Sequence, residues 1–266
     1  MTDRSLHLIQ SADNPLYRQL RKLCQSSRER RKAGQVVLDG MHLIQAYEAQ
    51  WGPVAQLWVR EGDRERGEIG AFLTAHPERR PLFLADKLMG DLGVVETPSG
   101  IMAVIPAPEA DQAPGYQEDT VLLDGVQDPG NLGSILRSAA AAGFRQVLLS
   151  SDCAQAWAPK TLRAGQGAHF LLRIYEHQEL VPFLGAFQGA VAVTSLAARE
   201  SLYRLELPSP VAWIFGSEGQ GVSPAVAATA THLVKIPMPG ACESLNVAAA
   251  AAICLFETVR RRLEGC

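Results

Sequence analysis

The stretches WIFGSEGQGVSP (Trp213–Pro224) and VKIPMPGACESLN (Val234–Asn246) each open on a short apolar run and then break into turns rich in glycine and proline. The apolar runs read as buried strands. A third stretch upstream, LLDGVQDPGNLGSILRSAAAAGF (Leu122–Phe144), follows the same plan: a strand, a Gly/Pro/Asn turn, then a helix. Three strand ends thus run into irregular loops. Ligands of parallel α/β sheets sit in the crevice outside the carboxyl ends of the strands. The pattern therefore predicts an α/β domain with a mainly parallel sheet and a ligand site walled by main-chain amides and carbonyls. The string GSEGQG is spaced GxxGxG, and no GxGxxG follows the first strand, which argues against a nicotinamide-dependent oxidoreductase.

Three residue strings match the signature motifs of one family. They are Asn131-Leu132-Gly133-Ser134-Ile135-Leu136-Arg137-Ser138, Gly216-Ser217-Glu218-Gly219 with Gly221, and Ile236-Pro237-Met238 followed by Ser244-Leu245-Asn246. In this order they resemble the SpoU/TrmH RNA ribose 2′-O-methyltransferases of the SPOUT class. The resemblance implies a C-terminal knotted catalytic domain, S-adenosyl-L-methionine as methyl donor and a homodimer. It also implies RNA as substrate, with rRNA favoured over tRNA because a further domain precedes the motifs. It assigns Asn131, Arg137, Glu218, Ser244 and Asn246 to catalysis. Cofactor contacts fall to the main chain at Gly216, Ile236 and Leu245, with Met238 and Ser244 close by.

The motifs cover only residues 119–266, and the rest of the chain is composed differently. A Pro-rich, aperiodic segment at 107–118 reads as a linker between a substrate-binding domain at 1–106 and the catalytic domain. Lys and Arg less Asp and Glu give 14 − 13 = +1 for residues 1–106 and 11 − 15 = −4 for residues 107–266. Neither part is a general polycation. Between Arg18 and Lys32, however, seven basic residues stand against the single acid Glu29. Such a run is either a solvated helix face or a phosphate-binding patch. With the resemblance beside it, Arg18, Arg21, Lys22, Arg28, Arg30, Arg31 and Lys32 are expected to bind RNA from an amphipathic helix anchored by Leu16, Leu20 and Leu23.

The opening NPLYRQLRKL and VVLDGMHLI begin an alternation of helices and strands, and this half looks like the small α/β RNA-binding domain found ahead of many family members. In the catalytic half, strands are expected at Val121–Leu123, Gln146–Leu149, Phe170–Ile174, Val191–Val193, Ala212–Phe215 and Leu233–Ile236. A small-residue helix over Asn131–Ala142 and a last helix from Ser244 to about Leu263 offer faces that could pack across a two-fold axis. Five cysteines without CxxC spacing, and histidines without ligand spacing, predict reduced thiols and no metal. No apolar run approaches a membrane span and MTDRSLHLIQ has no signal core, so a cytoplasmic protein is expected.

Transfer to a ribose hydroxyl needs help with its proton, and a guanidinium does not act as base because it stays protonated. Arg137 is therefore expected to stabilise the developing oxyanion and grip the adjacent phosphate, with Glu218 orienting it. Asn131 and Asn246 would position the nucleotide or hold the loops together. Each polar residue also has a structural reading. Asn131 and Ser244 could be helix caps, and Arg137 with Glu218 an ion pair. The remaining alternatives are a tRNA-directed enzyme and a non-catalytic RNA-binding or assembly factor that retains the pocket.

Overall fold

The computed structural model describes residues 8–92, 99–108 and 110–264. Most of the MTDRSLHLIQ stretch lies outside them. The chain forms two compact units: one takes the described residues up to Pro108 together with Trp157–Arg163, the other takes the rest.

The first unit contains β1 (Leu8–Ile9), α1 (Pro15–Gln25), α2 (Ser27–Ala33), β2 (Gln35–Asp39), α3 (Met41–Trp51) and β3 (Gln56–Arg60). It continues with α4 (Gly67–Ala75), β4 (Leu82–Leu84), α5 (Asp86–Gly90) and β5 (Ile101–Pro106). Its sheet runs β1-β4-β3-β5-β2, with β5 antiparallel to both of its neighbours. Tyr17, Leu20 and Leu23 of α1 are buried against Trp58, Leu84 and Met89, and the Tyr17 hydroxyl donates to the Leu88 carbonyl at 3.1 Å. Leu16 is exposed, so Tyr17 takes the anchoring position expected of it. The basic run is two helices. α1 stops at Ser26, whose extended backbone breaks the first helix and whose side chain caps the second by accepting from the Glu29 amide.

The chain after Pro108 forms β6 (Thr120–Asp124), α6 (Pro129–Ala141), β7 (Gln146–Leu149), α7 (Pro159–Gly165), β8 (Arg173–Tyr175) and α8 (Leu180–Ala186), all of them in the second unit except most of α7, which belongs to the first. Then come β9 (Ala190–Thr194), β10 (Glu200–Ser201), β11 (Val211–Gly216), α9 (Pro224–Ala227), β12 (His232–Lys235) and α10 (Val247–Glu264). Seven strands lie in the order β10-β12-β9-β11-β6-β7-β8, every neighbouring pair parallel. Strands buried on both faces explain the unbroken apolar runs VLL, AVAV and VAWIF. The chain lays β7 and β8 outward on one side of β6, then crosses to β9 and later inserts β11 between β9 and β6. Adjacent β6 and β11 therefore send their following loops in different directions from one edge of the sheet, which is the topology that opens a crevice.

Two expectations need correction. Phe170 lies in a one-turn 3-10 helix (Ala168–Leu171), because Gly167 adopts φ +84° and the chain turns before β8 begins at Arg173. The last helix starts at Val247 rather than Ser244. Within the 107–118 segment, the buried Gln146 amide accepts from Gly115 N and donates to Gly115 O, both at 2.8 Å. Glu118 also pairs with Arg173.

Candidate active site

Asp124 ends β6, and the chain passes through Gly125 (φ +71°) into α6. Asp128 caps that helix by accepting from the Asn131 amide at 2.7 Å, with Pro129 at the first helical position. Asn131 is therefore not the cap. It sits inside the first turn with its side chain free for other work. Its amide nitrogen donates to the Glu218 carboxylate, and its oxygen accepts from Asn246 Nδ2 at 2.9 Å. Asn246 uses its own oxygen to cap α10, accepting from Ala248 N at 2.9 Å and Ala249 N at 3.3 Å. One chain of side-chain hydrogen bonds thus joins the loops after β6 and β11 and the segment that leads from β12 into α10.

The β11 loop is held by its own backbone as well. Ser217 and Gly221 exchange two main-chain hydrogen bonds, at 3.1 and 2.9 Å. A Cβ on Gly216 would lie 2.1 Å from Gly221 C and 2.2 Å from Val222 N. Here the glycine admits the chain's own returning turn. Asp124 Oδ2 adds a further tie by accepting from Ser223 N at 2.7 Å. Behind the β6 loop, the Ser150 hydroxyl accepts from Gly125 N at 3.0 Å, and the Cys153 thiol lies 3.2 Å from the Leu123 carbonyl. Burial pushes the Cys153 thiol up, so it behaves as packing and not as a nucleophile.

After β12 the chain from Ile236 to Leu245 has no regular structure. Ile236 is buried, Met238 half-buried, and Ser244 and Leu245 exposed. Among the described residues, the amides from Gly240 to Leu245 make no hydrogen bond with other protein groups. This segment offers apolar surface beside uncommitted main-chain donors and acceptors, which suits an adenosyl group with a polar base edge. Ser244 neither caps α10 nor joins the side-chain network.

Arg137 lies six residues beyond Asn131 on α6, about 240° around the helix axis at 100° per residue. It is exposed and has no hydrogen-bond or ion-pair partner among the described residues. The expected Arg137–Glu218 contact is thus absent: the Glu218 carboxylate is engaged by Asn131 instead. Among the described residues there is no cluster of metal-ligating side chains, and no helix is long and apolar enough to cross a membrane.

Of the basic residues expected to meet RNA, Arg18, Arg21, Lys22, Arg28, Arg31 and Lys32 are exposed. Arg30 is not. It is 8% exposed, and its guanidinium donates to the carbonyls of Leu23 and Cys24 at 2.9 and 3.4 Å, closing the C-terminal end of α1. Sequence reasoning also missed Asp128 and Asp124. The Asp-Pro pair ahead of the helix was the available signal for the first; nothing local marks the second.

Residues 119–256 match the model of the SpoU rRNA methylase family. The chain belongs to that family. Over 96% of its length it is 33% identical to an uncharacterized tRNA/rRNA methyltransferase of Synechocystis, covering 94% of that protein. It is 32% identical to the 23S rRNA (guanosine(2553)-2′-O)-methyltransferase RlmP of Bacillus subtilis, covering 93% of this chain and 97% of the relative. The crystal structure of the SpoU methyltransferase AviRb from Streptomyces viridochromogenes in complex with the cofactor AdoMet superimposes with a TM-score of 0.81 at 27% identity, covering 94% of this chain and 98% of that one. The SpoU match begins at Asp119, just ahead of β6, and reaches into α10, so it contains all three loops of the hydrogen-bonded network.

Proposed function

We propose that this SpoU family member transfers a methyl group from S-adenosyl-L-methionine to a ribose 2′-hydroxyl of ribosomal RNA. The observation that carries the reading is the Glu218–Asn131–Asn246 chain, which gathers three loops at the carboxyl edge of the sheet while leaving Arg137 uncommitted on α6. Ribosomal RNA is preferred because RlmP, matched over nearly the whole of both chains, is named for 23S rRNA.

The main chain at Gly216, Ile236 and Leu245, with Met238 and Ser244 alongside, would hold the methyl donor. When bound, that cofactor supplies a methyl group on a positively charged sulfur, which needs no metal to be electrophilic. The protein must then favour the alkoxide form of a weakly acidic hydroxyl. Arg137 cannot take the proton, but its guanidinium stabilises negative charge as it grows on the ribose oxygen and grips the neighbouring phosphate in a bidentate fork. The proton leaves to phosphate or water. Asn131 and Asn246 keep the loops in register around that oxygen, and Glu218 fixes Asn131.

In this reading residues 1–106 form the substrate-binding domain, with 107–118 leading into the catalytic domain at 119–266. The exposed basic residues of α1 and α2 contact RNA phosphates. The C-terminal part carries the SPOUT knot, and the protein works in the cytoplasm as a homodimer; a monomer in sedimentation at working concentration would remove the last point.

Incubation with tritiated S-adenosylmethionine and separated rRNA and tRNA pools, followed by mapping of ribose methylation, tests the assignment. Label is expected in rRNA at a 2′-oxygen. Label in neither pool would leave an RNA-binding factor without turnover. Arg137→Lys keeps the charge and removes the planar fork, so kcat should fall by roughly a hundredfold with cofactor affinity little changed. A variant near the wild-type rate would show that the fork is not needed.

A further inference from the structure

Between α1 and α2 lies a groove of about 430 Å³ that combines three kinds of surface. Pro15 and Ala33, with the buried Leu23 beneath them, form an apolar floor. Arg18, Lys22 and Lys32 line the same groove with positive charge. Glu29 contributes one carboxylate, and among the described residues that carboxylate has no hydrogen-bond or ion-pair partner. Gln19 completes the wall, donating to Gln35 Oε1 at 3.3 Å. Arg18 is paired with Asp13, but both side chains are largely solvent-exposed, at 61% and 84%, so the pair is easily exchanged for another anion.

We propose that this groove accepts a single unpaired nucleotide of an RNA strand, a reading that rests on RNA being the substrate. The volume is at the low end of the range for small-ligand sites, which suits one nucleotide and excludes a duplex. Proteins read RNA sequence chiefly from bases splayed out of single-stranded segments, where the ring faces pack on the protein and the edges are hydrogen-bonded. Here the base lies on the apolar floor, the flanking phosphates meet Arg18, Lys22 and Lys32, and the base edge faces Glu29. A carboxylate accepts from an exocyclic amino group, as on cytosine N4 or adenine N6. Uracil offers only an N3–H flanked by two carbonyl oxygens, which repel the carboxylate. The groove should therefore prefer bases that carry an amino group. An acidic peptide would satisfy the basic residues but would bring its own negative charge against Glu29.

Binding of the full chain to labelled oligocytidylate and oligouridylate of equal length tests this, with three variants beside the wild type. K22E/K32E lies in the groove, R21E/R28E changes the charge equally outside it, and E29Q keeps the shape while removing the negative charge. Wild type should bind the cytidine oligomer roughly fivefold more tightly than the uridine one, and E29Q should bring that ratio to about one. K22E/K32E should weaken binding of the cytidine oligomer roughly tenfold more than R21E/R28E does. Equal losses in the two double variants, or a base ratio unmoved by E29Q, would overturn the groove and leave only a diffuse charged face. Tritium transfer to rRNA, measured on the same proteins, separates the two claims. Binding that follows the predicted pattern without methylation by the wild type would sink the enzymatic reading alone. Methylation with the same KM for RNA in wild type and K22E/K32E would sink the groove alone.

Discussion

Asn131 gives its amide nitrogen to Glu218 and its oxygen to Asn246, so neither end of the side chain can be replaced without cost. Asn131→Asp keeps the acceptor for Asn246 but sets a second carboxylate against Glu218 at hydrogen-bonding distance. Like charges so placed force the two loops apart. Asn131→Ala loses both bonds, each worth about 1 kcal/mol in partly exposed surroundings, without adding repulsion. The expected order of methyl-transfer rate is wild type, then Ala, then Asp, with Asp down by roughly a hundredfold, comparable to losing a single charge-stabilising donor. An Asp variant more active than Ala would show that the network does not hold the site. His169 is a different case. It is fully buried with Nε2 at 2.9 Å from the Ala156 carbonyl, which can only accept, so Nε2 carries a hydrogen, and burial favours the neutral ring. Burial lowers its pKa from 6.5 to about 4. Above pH 6.5 the ring is neutral whether the chain is folded or not, and its contribution to stability is constant. As pH falls from 6.5 towards 4, the unfolded chain binds a proton that the native state refuses, and about 3 kcal/mol of stability is lost. His169→Gln can keep a donor to Ala156 without titrating. Denaturant unfolding at several pH values should give the variant a shallower acid limb over that window, and parallel limbs would refute the assignment.

At the level of elements, what could be read from the sequence was whatever carries a long apolar run. β6, β7, β9 and β11 are buried on both faces and announce themselves as VLL, QVLL, AVAV and VAWIF. The two-residue strands β1 and β10 exist only because a neighbouring strand pairs with them, and no local pattern could reveal that. α2 was hidden because seven residues bearing four basic groups have no apolar stripe; its one buried member is Arg30, which spends its charge on carbonyls of the preceding helix. The start of α10 turned on which of two nearby polar residues caps it. Ser244 and Asn246 are both good caps by type, and the decision came from a long-range partner, Asn131, 115 residues away. The same logic governs the end of that helix. Arg260, Arg261 and Arg262 suit the negative pole of the helix dipole in sequence, yet each also has a side-chain partner in the structure. Arg260 and Arg261 share the buried Glu257, Arg261 also reaches the Leu202 carbonyl, and Arg262 pairs with Asp119 at the head of β6. The three motifs were legible as strings, but the pairing of Glu218 with Asn131 rather than Arg137 depends on how α6 is turned, which spacing alone leaves open.

Taken over the whole chain, charge and cofactor chemistry are divided. The net charge is −3, so any general attraction to RNA is weak, and the proposed reading draws most of the affinity from the local cluster on α1 and α2. With Arg30 withdrawn into the interior, six exposed basic residues remain there. If each neutralises one phosphate of a single strand, log K should fall with log[salt] at a slope of about −4, since each contact releases roughly 0.7 of a counterion. Binding of S-adenosylmethionine should behave otherwise. The loops assigned to it offer amides, carbonyls and apolar side chains, so a slope of magnitude below about one is expected. Titrating both ligands across a salt series on the same preparation compares the two directly. Arg30→Met supplies the internal control: it should lower thermal stability by removing donors from the carbonyls of Leu23 and Cys24, while leaving the RNA salt slope where it was. An RNA slope no steeper than the cofactor slope, or one that falls by about a unit in the Arg30 variant, would mean that the phosphate contacts lie elsewhere on the molecule.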